Sequence, residues 1–161
     1  MAFLSIVGVF AARALLVLLF FPFSALDKIL NFKQAVAQAT EAIPNRSLAA
    51  VMIFAGLSVE VLMSTAILTG IADRMAALVL AFYCIVTALL WKRFWKVPDF
   101  RFKGASGGRD VFWDFLKNLA LAGGFLALAF GASATGLQDF AAHPLASSHP
   151  YRASMGGSHD G

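Results

Sequence analysis

Apolar residues run almost unbroken through four stretches of the chain: Phe3 to Leu26, Leu48 to Ala72, Met75 to Trp91 and Phe112 to Thr135. A hydrocarbon core about 30 Å thick needs roughly 20 such residues at the helical rise, and each stretch falls in the spanning range. Charge is nearly absent from them. The first holds only Arg13, the second only Glu60 and the third none, while the fourth has Asp114 and Lys117 in its opening turns. Without water to bond exposed amides, runs this long close their backbone hydrogen bonds as helices. The pattern predicts an all-α integral membrane protein: an antiparallel four-transmembrane-helix bundle over residues 1–135 and a flexible polar tail over 136–161.

Two local features refine this. The first stretch has no Lys or Arg before Ala12, carries Arg13 inside its apolar region and offers Phe23 where signal cleavage needs a small residue, so it is expected to stay on the mature protein, with Pro22 kinking its end. Between the first two spans, Ile29, Leu30, Phe32, Val36, Ala39 and Ile43 recur at near-helical spacing until Pro44. This predicts a short amphipathic helix lying at the interface.

Composition agrees with the bilayer as solvent: 60% of the 161 residues are hydrophobic, 14% are charged, and mean hydropathy is +0.76. The single cysteine excludes an intrachain disulfide framework and any zinc cluster built on paired cysteines. Charge matters for topology. Lys28, Lys33, Arg46, Lys92, Arg93, Lys96, Arg101, Lys103, Arg109 and Lys117 flank one side of the spans, whereas Arg74 and Arg152 flank the other. The bias predicts both long connections in the cytoplasm and both termini outside. A net charge of +4 is thus a topology signal and not a nucleic-acid surface. Trp91, Trp95 and Trp113, with Phe94, Phe100, Phe102 and Phe112, border the basic third connection as an interfacial belt, although such a stretch also suits a partner or acidic lipid. Gly104 to Gly108 lacks the Gly-Lys-Ser/Thr ending of a phosphate loop and reads as a flexible turn.

Charges in mid-span are costly and require partners. Counted from the span centres, Arg13 and Glu60 fall near one depth on adjacent antiparallel helices, so they are expected to pair, either as a structural register pin or as a ligand or proton site. The Arg13 face continues through Val17, Phe20 and Ser24 to Asp27 and Lys28, and the Glu60 face through Ile53, Gly56, Ser64 and Ile67. Asp73, Ala77, Ala81, Cys84 and Ala88 share a face of the third span. On the fourth, Lys117, Ala120, Gly124, Ala127 and Gly131 form a small-residue stripe expected to pack closely, and Lys117 there either joins Lys28 in a cationic site or snorkels. Cys84 reads as buried and inert, and His143, His149 and His159 have no metal-ligand spacing.

The ordered set Arg13-x-Leu15-Leu16, Phe20-x-x-Ser24-Ala-Leu-Asp-Lys28-Ile-Leu-Asn-Phe32, Pro44, mid-span Glu60, Gly70 with Arg74-x-Ala76-Ala77, and Phe115-x-Lys117-Asn118-Leu-Ala-Leu-Ala-Gly123-Gly124 resembles the DoxX family of small four-helix bacterial membrane proteins, over about Leu4 to Leu128. Ala25, where a glycine is usual, and Leu62, Met63 and Ser64, in place of a glycine-rich stretch, depart from it. The resemblance implies an inner-membrane protein related to subunits of quinone-linked and other membrane oxidoreductases, with Arg13, Lys28, Glu60, Arg74, Lys117 and Asn118 at the family's recurring polar positions. The chain has no haem, flavin or iron–sulfur ligand set, so no intrinsic cofactor is expected; the resemblance, together with the Arg13/Glu60 pair, implies a quinone as ligand and partners among the lipid bilayer and other membrane subunits. A non-enzymatic assembly or anchoring subunit, and a small-solute or proton conductor using the buried charges, are the alternative readings.

Overall fold

A computed structural model describes residues 2–131 and 135–152. The first apolar stretch forms α1 (Ala2–Val17), an irregular turn (Leu19–Ser24) and α2 (Ala25–Leu30). Pro22 supplies no N–H to that turn, Phe21 leaves helical geometry at φ −126°, and the Phe21–Pro22 bond is cis. The apolar run continues past the kink, so the span reaches Leu30, four residues beyond the expected end at Leu26. α3 (Phe32–Thr40) is the expected amphipathic helix, resting Val36 and Ala39 on Ala49 beside Ile53 and Trp91.

α4 (Arg46–Thr69) starts where the Asn45 side chain accepts the Leu48 N–H at 3.1 Å. It stops at Gly70, whose φ of 77° suits a residue without a Cβ. After that tight turn α5 (Asp73–Trp91) runs back, followed by a single 3-10 turn at Phe94–Lys96 and by α6 (Gly107–Phe130). α6 ends at Phe130, short of the expected Thr135; residues 132–134 lie outside the described part of the chain. The four long apolar helical segments are thus Phe3–Leu30, Arg46–Thr69, Asp73–Lys96 and Gly107–Phe130. The fold is an all-α membrane bundle.

α5 is the central helix, packed along α4 and α6. Its Ala76, Ala77, Leu80, Ala81 and Cys84 meet Val17 and Phe20 from the first span, Ile67 from α4, and Ala122, Phe125 and Ala129 from α6. The buried face of α6 differs from the one expected. Ala120 and Ala127 are exposed, and Gly124 alone of that stripe makes a close approach: a Cβ placed on it would lie 3.0 Å from Leu16 Cδ1. Lipid tails are as apolar as a protein core, so hydropathy cannot say which of two small-residue faces turns inward.

At the basic end the third connection is ordered by its own contacts rather than a free turn. Phe94 packs edge-on against Trp95, Phe112 and Phe115, extending the belt into a ring cluster. Ser106 caps α6 by accepting the Arg109 N–H, and the Asp99 carboxylate accepts the N–H groups of Gly107 and Gly108 at 2.7 and 3.0 Å. Those N–H bonds hold the Asp99 carboxyl below its ordinary pKa. A lowered folded-state value means stabilisation that is present above the ordinary carboxyl range and lost as pH falls through the folded value. Acid titration is therefore expected to move Trp95 and Trp113 emission in one step that Asp99→Asn abolishes; an unaltered acid step in the variant refutes the cap's role.

The tail expected to be flexible is, over residues 135–152, folded across the opposite end. α7 (Gly136–Ala142) sets Phe140 on Phe130 and under the Arg74 guanidinium. Beyond it Ser147 donates to the Gly70 carbonyl and Tyr151 to the Leu68 carbonyl. Helix ends leave carbonyls without partners, and these hydroxyls answer them. Residues 153–161, including His159, lie outside the described part.

Candidate functional site

The register between the first span and α4 decides which buried charges meet. Arg13 lies opposite Ile67, to whose carbonyl it donates at 2.7 Å, and Ser24 lies opposite Glu60. Ile67 and Glu60 are about 10 Å apart along α4 at the helical rise. The expected Arg13–Glu60 pair therefore does not form. The observed register differs by about two turns from depth counted from span centres.

Two separate polar centres result. At mid-bundle Glu60, 2% exposed, receives Lys28 Nζ at 2.7 and 3.0 Å on its two oxygens. Its Oε1 also accepts the Tyr83 hydroxyl at 2.8 Å and Ser24 Oγ at 3.2 Å, and Lys28 donates to Ser24 at 2.5 Å. Oε1 thus has three donors and Oε2 one, although each carboxylate oxygen has two acceptor sites. Phe20 stands edge-on to Tyr83 and tilts against Phe125, which gives the centre apolar walls. Gly56 lets the phenol close in on α4: a Cβ there would lie 3.1 Å from the Tyr83 hydroxyl.

The second centre lies at the opposite end, beneath the strap formed by the folded tail. Arg13 Nη2 meets Asp73 Oδ2 at 2.7 Å, with both side chains buried. Ser148, from the strap, donates its N–H and Oγ to the two Asp73 oxygens at 2.9 and 2.5 Å and accepts from Arg13 at 2.8 Å. Charge pairing together with these hydrogen bonds is what makes such a pair tolerable in an apolar interior.

The remaining expected residues are elsewhere. Lys117 has a 73% exposed side chain and pairs with Asp114 at 3.2 Å on its own helix, so it forms no cationic site with Lys28. Asn118 turns back to the Asp114 carbonyl at 3.0 Å. Arg74 closes the far end of α6 by donating to the Ala129 and Gly136 carbonyls. Asp27, on the expected Arg13 stripe, is exposed and bonds Asn31. Sequence reasoning missed Tyr83, Asp73 and Ser148 as partners. Asp73 carried a signal, since a carboxylate on the apolar face of a span needs a cation, and Arg13 was the available one. Ser148 carried none.

The DoxX family profile matches residues 8–93, more than half the chain. The chain belongs to the DoxX family. No curated protein and no solved structure matches it. The matched stretch contains Arg13, Lys28, Glu60, Asp73, Arg74 and Tyr83, hence every charged group of both centres; Lys117, Asn118 and the strap that carries Ser148 fall outside it. Family and helices together make this a multi-pass membrane protein of a family often linked to oxidoreductases. Among the described residues no three His, Cys, Asp or Glu side chains gather as metal ligands.

Proposed function

We propose that this DoxX protein is a subunit of a quinone-linked oxidoreductase assembly in the bacterial inner membrane, its basic connections facing the cytoplasm. The observation that carries the reading is the Glu60 centre: one mid-bundle carboxylate with donors from three segments, beside an aromatic wall. A pair serving only to set register needs one cation; the added phenol and the under-used Oε2 suit a guest that both accepts and donates hydrogen bonds. A quinone headgroup does so, and the residues fit it. Tyr83 Oη, by turning its one proton away from Glu60 Oε1, would donate to a carbonyl, Glu60 Oε2 would accept from a quinol hydroxyl, and Phe20 lines the apolar side. Quinone supplies the two-electron chemistry, and electrons come from a partner subunit.

A place for that partner is suggested by the outward face of α6, where Trp113, Ala120, Gly123 and Ala127 are exposed. Small residues on a lipid-facing stripe admit a second helix at close range. Native mass spectrometry of protein extracted gently from its own membrane tests both parts. The expected spectrum contains a retained quinone and co-eluting oxidoreductase subunits, with quinone affinity falling about tenfold in Tyr83→Phe for one lost hydrogen bond. Protein without quinone and without such subunits overturns the proposal.

A further inference from the structure

Five polar residues are buried among those described: Arg13, Glu60, Ser64, Asp73 and Ser106. Ser106 caps α6, and the other four belong to the first span, α4 and the start of α5. Ser64 is the member without an assignment. Its side chain is 0% exposed, and Oγ has no hydrogen-bond partner. The usual solution for a helical hydroxyl is the carbonyl one turn back, and Ser58, Thr65, Thr69 and Thr87 all adopt it here. Ser64 does not, although the Glu60 carbonyl is in that position. Along α4 it stands about 6 Å from Glu60 and about 4.5 Å from Ile67, whose carbonyl holds Arg13. The hydroxyl therefore falls between the two charged centres.

We propose that Glu60, Ser64 and Asp73 are successive stations of a proton path across the membrane. This goes beyond the redox reading and does not rest on it. Lys28, 18% exposed in its side chain, is the contact with the basic end. Its ammonium passes a proton to Glu60 and regains one from water. Neutral Glu60 donates toward Ser64, which accepts at one lone pair while passing its own hydroxyl proton, through a short chain of bridging waters, to Asp73. Asp73 releases that proton at the far end where Ser148 covers it, and each group returns to its starting state. One proton crosses, no bond other than O–H and N–H changes, and no electron moves. The groups that face these stations are few. Lys28, Tyr83 and Ser24 bond Glu60, Cys84 is the buried neighbour of Tyr83 on α5, and Arg13 and Ser148 bond Asp73. In the antiparallel register that brings Tyr83 to Glu60, Ser64 falls level with the stretch of α5 between the small, buried Ala77 and Ala81, which limits the bulk between the centres.

The test is proton uptake by liposomes of neutral phosphatidylcholine containing the full chain and an internal pH dye, driven by a potassium diffusion potential. Wild-type protein is expected to acidify the lumen well above the protein-free rate. Ser64→Val, which removes the hydroxyl, is expected to lower the flux about tenfold or more, while Ser64→Thr, which keeps a hydroxyl on a similar frame, retains most of it. Asp73→Asn supplies a second position should Ser64→Val fail to fold. Wild-type flux at the protein-free level, or unaltered flux in folded Ser64→Val or Asp73→Asn, overturns the path. Quinone binding without proton flux removes this proposal and leaves the redox reading standing.

Discussion

Replacing Arg13 by alanine is expected to destabilise the protein by about 3–5 kcal/mol, because it strands a buried carboxylate in an apolar interior. Asp73 is 0% exposed and would retain only Ser148 as a donor. Asp73→Ala is expected to cost as much, since the guanidinium it leaves is 5% exposed. Replacing both by leucine is expected to recover much of the loss, as the charges depart together. A double-mutant cycle read from unfolding in mixed micelles separates this arrangement from the alternative. Arg13 and Asp73 should couple strongly, while Arg13 and Glu60, about two helical turns apart, should add within roughly 0.5 kcal/mol. Strong coupling between Arg13 and Glu60 would refute the register described above.

At the Glu60 centre the two single variants should differ. Lys28→Met leaves a carboxylate 2% exposed with only neutral donors, and a cost of about 3–5 kcal/mol is expected. Glu60→Leu leaves an ammonium on a long stem that starts near the basic end. It can snorkel to water, so the expected cost is nearer 1–3 kcal/mol, much of it from the orphaned Tyr83 hydroxyl. Unfolding midpoints of the two variants in the same detergent measure the asymmetry. Equal losses would mean that Lys28 has no route to solvent.

Helical periodicity within a span is a dependable guide here. Val17 and Phe20 follow Arg13 into the core, Ser64 and Ile67 accompany Glu60, and Ala77, Ala81, Cys84 and Ala88 share the buried face of α5 with Asp73. Those faces are legible because each contains a charged group that cannot face lipid, which orients the whole stripe. α6 has no such anchor in its middle, and its small-residue stripe turns outward instead of into the bundle. The strap is illegible for a different reason. Its Ser147, Ser148 and Tyr151 sit among Pro, Ser and His, a composition shared by free tails, and their partners are carbonyls and a carboxylate at other helix ends.

From its amino-acid sequence the chain already specifies its solvent, its four spans, the amphipathic helix after the first of them and the charged residues that lie within apolar runs. Each follows from a local quantity: the length of an apolar run, its period, or the cost of a charge in hydrocarbon. That Lys28 and not Arg13 meets Glu60, that Asp73 receives Arg13, and that Ser64 lies between the centres are facts of packing. Partner choice depends on the axial offset between helices. That offset is fixed where side chains of different helices interlock, as Val17 and Phe20 do with Ile67, Leu80 and Phe125, and a shift of two helical turns exchanges every partner while leaving each helix's own pattern unchanged.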